Sequence, residues 1–169
     1  MTRVNDPVRR CIETLEAAIG DPSRGLPEDV FLFVSRITPL VAVDLFIQDA
    51  RLRTLLTWRD DQFYGPGWHV PGGIIRYRES AADRIHTCAH EELRAGVSID
   101  PGPLLVSEGR REHDTRGHHI SLLFRCRLLG PPDAARRAAS DPPSSGQWRW
   151  HERCPPDLIE AQRPYARFF

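Results

Sequence analysis

Between Trp68 and Gly96 the chain reads WHVPGGIIRYRESAADRIHTCAHEELRAG. This stretch gathers the residue types that can hold a divalent cation against a diphosphate. Gly72 and Gly73 let the backbone come close to a ligand and offer it a carbonyl oxygen. Glu91 and Glu92 stand side by side near the end of an expected helix. Carboxylate oxygens suit Mg²⁺ or Mn²⁺, which are held by few protein groups and keep several waters. Cys88 shares their helical face one turn earlier. A thiol is a poor ligand for a hard cation, so Cys88 reads as packing. Glu79 is placed to bond back to the glycine loop or to the helix start. A Glu-Glu pair alone is usually a solvated face, and Pro-Gly-Gly alone is a common turn. Their combination at this spacing carries the argument.

A strand, a loop and a helix must position these groups. The helix is predicted from Ser80, an N-cap residue, to about Ala95, with Gly96 as its stop. Leu40 to Ile47 (LVAVDLFI) is a buried type of strand with Asp44 inside it. A carboxylate in such a strand needs a partner or a ligand to offset its desolvation. Arg53–Trp58 is the next strand, the segment 60–67 a loop, and Trp68–Pro71 a short extended piece broken by Gly72-Gly73. Leu104–His113 and His118–Leu128 form two strands around Asp114-Thr115-Arg116-Gly117. The Pro-, Ala- and Ser-rich segment 130–146 reads as a mobile surface loop, Trp148–His151 as a last strand, and 155–169 as helical pieces interrupted by Pro164. In front lies a helix that starts at Asn5-Asp6-Pro7 and ends at Gly20, with Val8, Cys11, Ile12, Leu15 and Ala18 on one face. Val30–Val34 reads as β-prone. Many strands with few helices point to a mixed sheet covered on its faces.

The bulk properties exclude several classes. A chain of 169 residues suits one domain. Lys plus Arg equals Asp plus Glu, at 23 each, so no overall field recruits nucleic acid or a membrane surface. The four cysteines form no CxxC pair, which argues against a zinc site and a disulfide framework. Reduced thiols, no long apolar N-terminal run and no candidate span together predict a cytoplasmic protein.

Gly73, five residues, Glu79, then Ala89, Glu91 and Glu92 in register resemble the box of the Nudix hydrolase superfamily. Three positions depart from that box. Thr87 stands at its arginine, Cys88 at its first metal glutamate and Arg94 at its last glycine. The flanks ITPLVAVDLFI, LLTWR and GPGWHVPGG resemble the GDP-mannose mannosyl hydrolase branch, without gaps from about Thr38 to Leu93. That branch keeps a single metal glutamate, matching Glu92.

The resemblance implies an α+β protein (an α/β/α sandwich), with the mixed β-sheet of the Nudix fold between helices. Residues 1–28 would form a helical extension and connector, and 29–169 a single Nudix domain. Mg²⁺ (or Mn²⁺) would be held by the Gly72 carbonyl and Glu92, with Glu91 beside them. Asp44 matches a sugar-contacting aspartate and Arg59 a phosphate-contacting arginine. The branch's second phosphate arginine falls on Ile74, and Arg76 is the expected substitute. Arg84 is a candidate for the positive charge missing at Thr87. A tyrosine of the branch falls on His119. Its Gln-His pair, which includes the general base, falls on Ser144-Ser145, so the base must come from elsewhere. Glu112, His113, His118 and His119 crowd the hairpin that faces the metal helix. Glu79, Glu92, His113 and His119 are the candidate catalytic residues.

The implied reaction is hydrolysis of a nucleotide sugar, or another nucleoside diphosphate derivative, with water attacking the anomeric carbon. Phosphoanhydride cleavage is the first alternative, and a nucleotide-sugar-binding module without turnover the second. The apolar N-terminal helix and the VFLFVSRIT segment, together with the branch, predict a homodimer.

Overall fold

The computed structural model describes residues 7–110 and 116–169. The expected helix start at Asn5-Asp6 and the candidates Glu112 and His113 lie outside the described residues. Helix α1 spans Pro7–Ile19 and buries none of its residues; Ile12 and Leu15 of its apolar face are exposed. Helix α2 spans Glu28–Ile37, where the β-prone Val30–Val34 suggested a strand. Helical signals override β-propensity here: Glu28 and Asp29 sit in the first turn, Arg36 in the last, and Pro27 precedes.

Among the described residues eight strands form two sheets. Strand β1 (Leu40–Ile47) lies between β4 (Gly72–Ile74) and β7 (His118–Leu128), and β7 also pairs with β5 (Val97–Ile99) and β6 (Leu105–Arg110). Pairing of β1 with β7 is parallel and the other pairings are antiparallel, so this sheet is mixed. The second sheet is antiparallel, in the order β3 (Gly67–His69), β2 (Thr54–Arg59), β8 (Trp148–His151). The extended run breaks at Val70 and Pro71, where the chain passes from β3 to the other sheet, and not at the double glycine. The double glycine forms β4, opposite Val43 and Asp44.

Strand β1 is covered on both faces, which is why it reads as one apolar run. Val43, Leu45 and Ile47 join Ile85, Cys88, Ala89 and Leu93 of the helix described next. Phe46 turns the other way, into a cluster with Trp58, Trp68, Val70, Leu123, Leu158 and Tyr165. A 3₁₀ run, Glu160–Phe168, closes that second side. Pro164 lies within it rather than interrupting it, because proline's fixed φ falls in the 3₁₀ range.

Helix α3 (Ala81–Cys88) begins at Ser80, whose hydroxyl accepts the Asp83 N–H at 3.1 Å. It runs on into one wider π-type turn, Ala89–Leu93, which carries both glutamates. The stop comes two residues before the expected Gly96, at Arg94, which is left-handed with φ 52°. A side chain in that conformation is strained where glycine is not. The segment 130–146 is tied to the fold at several points: Trp148 Nε1 donates to the Asp133 carbonyl at 2.7 Å, and Arg136 Nη1 to the Glu91 carbonyl at 2.6 Å.

The left-handed stop gives a direct test. Arg94→Gly is expected to stabilise the fold by about 1 kcal/mol, roughly 2–4 °C in Tm. Thermal unfolding measures this; an unchanged or lower Tm would mean that the Arg94 side chain contributes more than its backbone costs.

Candidate active site

Strand periodicity builds the floor of a cavity. Leu40, Ala42 and Asp44 alternate along β1 and point to one face. In register beside them stand His119 and Ser121 of β7, with Gly72 and Ile74 of β4 on the other flank. Arg59, Tyr64, His69, Val70, Arg116 and Gln162 contribute the walls. Gly72 and Gly109 are among the glycines required by contact. A side chain at Gly72 would collide with the Val43 carbonyl and the Asp44 carboxylate, and one at Gly109 with the His119 ring. His118 points away and meets Glu108 at 3.0 Å, so of this histidine pair only His119 lines the cavity.

Asp44 is buried, as its strand position implied. Tyr165 Oη donates to its Oδ2 at 2.6 Å and Gln162 Nε2 to its Oδ1 at 3.0 Å. Gln162 also accepts from the Val70 N–H at 2.6 Å and donates to the Val70 carbonyl at 3.2 Å. One side chain therefore fixes both the aspartate and the loop before Gly72. Burial pushes the Asp44 carboxyl up to about 6, against the pull of hydrogen bonds from Tyr165, Ser121 and Gln162 and of the nearby Arg59 charge.

Glu92 points inward. Its Oε1 accepts the Gly72 N–H at 2.8 Å, and its Oε2 lies 2.7 Å from Thr57 Oγ1. His69 extends this line, with Nε2 2.9 Å from the same hydroxyl and Nδ1 2.9 Å from the Val70 carbonyl. Burial pushes Glu92 up to about 7 and His69 down to about 3. A neutral imidazole has one N–H. The Val70 carbonyl can only accept, which places that proton on Nδ1, and the Thr57 hydroxyl, donating to Glu92 Oε2, lies beside the unprotonated Nε2. The sequence reading missed Thr57 and His69; their only signal is that they sit two and three residues before Arg59 and Gly72.

Glu91 faces elsewhere. It is half-exposed, 3.5 Å from Arg84 Nη2 and 4.0 Å from Arg76 Nη2. Arg84 is buried, with Nη1 4.0 Å from Glu79 Oε1. Its guanidinium thus supplies positive charge between Glu79 and Glu91, while Thr87 bonds back to the Asp83 carbonyl at 2.9 Å. Glu79 holds the loop, accepting the Arg76 N–H at 2.8 Å. Cys88 is core, and burial pushes its thiol up to about 12. Among the described residues no three His, Cys, Asp or Glu side chains gather to hold a metal ion. The donors fit a sparsely held Mg²⁺ all the same: Glu92 keeps unused lone pairs, and its raised pKa marks a carboxylate short of countercharge. Glu91 is paired with Arg84 and Arg76 instead of with the Gly72 N–H.

Arg59 reaches the rim, where it pairs with Asp61 at 2.6 Å over the Tyr64 ring. Arg76 lines a different, more apolar cavity with Phe31, Val34 and Tyr77, because β4 ends at Ile74 and the chain turns. Arg116 shares the Arg59 cavity and was not singled out from sequence. Ser144 and Ser145 do not line the cavity; Gly146 after them bonds to the Trp58 carbonyl at 2.8 Å.

The family model of the NUDIX domain matches residues 38–166. Low-salt glycan biosynthesis protein Agl8 of Haloferax volcanii is 33% identical over 79 residues, 47% of this chain and 50% of that protein. The chain thus spans about half the length of this curated relative. The fold is similar to that of a MutT NUDIX hydrolase from Burkholderia pseudomallei, with TM-score 0.58 and 19% identity over 77% of this chain and 97% of that one. It is also similar to a possible asymmetric diadenosine tetraphosphate hydrolase from Jonesia denitrificans, with TM-score 0.61 and 20% identity over 78% and 92%. At these identities the likeness is one of fold.

The two raised carboxylates give stability a definite pH dependence. Each ionises at higher pH in the fold than in the unfolded chain, so the fold binds more protons in between. Stability is then highest below about pH 4 for these groups and is lost as pH rises through 6 to 7. For Asp44 the rise from 3.8 to about 6 corresponds to roughly 3 kcal/mol. Asp44→Asn is therefore expected to raise Tm at pH 7.5 by roughly 5–10 °C, and by little at pH 4, in metal-free buffer. A pH-independent difference, or a lower Tm at pH 7.5, would refute this.

Proposed function

The chain belongs to the Nudix family of hydrolases, which act on nucleoside diphosphate derivatives, and on that premise we propose that it hydrolyses a nucleotide sugar. Water attacks the anomeric carbon, the bond from that carbon to the phosphate oxygen breaks, and the electron pair leaves with the nucleoside diphosphate. The observation that carries this reading is the single inward carboxylate: Glu92 bonds to Gly72 while Glu91 pairs with Arg84 and Arg76. Attack at phosphorus calls for more carboxylates along the metal helix. The glycan-biosynthesis name of the Haloferax volcanii relative points to sugar chemistry as well.

The roles follow from placement. Asp44, fixed by Tyr165 and Gln162, orients sugar hydroxyls through its unused lone pairs. Arg59 receives the diphosphate at the rim. His119, on the floor two residues from Ser121, takes the proton from the attacking water. Glu92 and the Gly72 carbonyl would hold Mg²⁺, which when bound offsets charge on the leaving diphosphate.

Nucleotide sugars incubated with Mg²⁺ in ¹⁸O-water test the reading, with free sugar and phosphate both assayed. Label is expected in the sugar; label in a phosphoryl group instead would establish phosphoanhydride cleavage. Glu92→Gln is expected to lower kcat by about 10²-fold, and Glu91→Gln by only a few-fold. Equal losses in the two variants would show that both carboxylates serve the cation.

A further inference from the structure

Arg116 is an arginine whose surroundings make little sense without an anion. It precedes β7 with φ 56°, and its backbone is held from two sides. Its N–H donates to Ser35 Oγ at 3.1 Å and its carbonyl accepts from Tyr64 Oη at 3.2 Å. The guanidinium lies 4.6 Å from the Phe63 ring centroid, 5.3 Å from Tyr64 and 5.4 Å from Phe31. No carboxylate among the described residues forms an ion pair with it, and its buried Nε has no hydrogen-bond partner. A buried charged donor left unpaired is costly. Aromatic faces attract a cation without consuming its N–H groups. Three rings therefore hold the guanidinium without engaging its N–H groups.

Arg59 stands nearby. Its guanidinium is 5.2 Å from the same Tyr64 ring, so one tyrosine touches both cations, and both line the cavity that holds Asp44 and Gly72. Asp61 forms its ion pair with Arg59 and not with Arg116. Burial lowers the Arg116 pKa, with Arg59 adding to the shift and Tyr64 and Asp61 opposing it. Two guanidiniums that share one cavity and one tyrosine ring can serve the two phosphates of a diphosphate, each of which can accept a pair of N–H bonds. Arg76, by contrast, has Glu91 as a partner and lines the neighbouring cavity.

We propose that Arg116, aimed by Phe31, Phe63 and Tyr64, is the second diphosphate-binding arginine of this cavity and acts together with Arg59. This deepens the nucleoside diphosphate reading above and rests on it.

The test is calorimetric titration of the full chain with GDP, UDP and inorganic pyrophosphate in Mg²⁺, beside guanosine and uridine. Arg116→Gln is expected to weaken the tightest-binding diphosphate by about tenfold or more and to leave binding of its nucleoside unchanged. Arg116→Lys should restore only part of the loss, because an ammonium cannot present a fork. Arg76→Gln should cost less than about threefold. If Arg59→Gln weakens diphosphate binding while Arg116→Gln, or a folded Arg116→Lys where the former does not fold, binds as wild type, the proposal is overturned and the functional reading stands. Equal loss of nucleoside and diphosphate binding would make Arg116 a structural residue and also overturn it. A wild-type chain that binds none of the diphosphates would overturn both.

Discussion

The constraint behind the rest of the site is the burial of two carboxylates that both neighbour Gly72. Asp44 lies on the cavity floor, Glu92 accepts the Gly72 N–H, and the Asp44 charge raises the cost of ionising Glu92. The fold answers with donors rather than with salt bridges. Tyr165 and Gln162 serve Asp44; Thr57 and the Gly72 N–H serve Glu92. Those donors come from three separate parts of the chain: the C-terminal 3₁₀ run must dock on β1 to satisfy Asp44, and β2 and β4 must meet the π-type turn to satisfy Glu92. Gln162 shows the coupling most directly, because the same amide that bonds Asp44 closes on both backbone groups of Val70. Arginine lies at the rim, where its charge lowers the cost without neutralising either acid.

The departures from the box form one connected change. Thr87 turns its hydroxyl back on its own helix, and Arg84 one turn earlier carries the positive charge inward to Glu79. Arg84 lies against Gly73 and Cys88, so a small glycine and a compact thiol leave it room. Position 88 belongs to the apolar cluster with Val43, Leu45 and Ile85, where a carboxylate would need its own countercharge. Glu91, drawn outward to Arg84 and Arg76, leaves Glu92 as the inward acid. Arg94 is separate from this set: it occupies the left-handed position that a glycine would take without strain.

What was legible in the sequence was what local pattern encodes. The apolar run of β1, the Asp44 that interrupts it, the Ser80 cap and the Glu79–Glu92 register could all be read because each is decided within a few residues. Helix α2 was not, because its β-branched and aromatic residues outvoted its charged ends until packing chose. The three-residue β5 was missed because it exists only as a partner of β7. The partners of Asp44 were hidden for a different reason: Gln162 and Tyr165 lie 118 and 121 residues away. Thr57 and His69 meet only through the β2–β3 register, and Arg116 meets Phe31 and Phe63 only when α2 folds against the rim.

Charge is divided across the cavity in a way that would orient a substrate under the proposed reading. Asp44 lies on the floor and Glu92 bonds to the Gly72 N–H; the two arginines line the same cavity, both against the Tyr64 ring. A diphosphate placed over Asp44 and Glu92 without a cation would meet two carboxylates, whereas at the rim it meets two guanidiniums. A neutral sugar has the opposite preference, since its hydroxyls can donate to Asp44 and gain little from arginine. One asymmetric substrate therefore has one favourable direction of entry. Glu92 and the Gly72 carbonyl would hold the cation, and its charge would offset that of the leaving diphosphate.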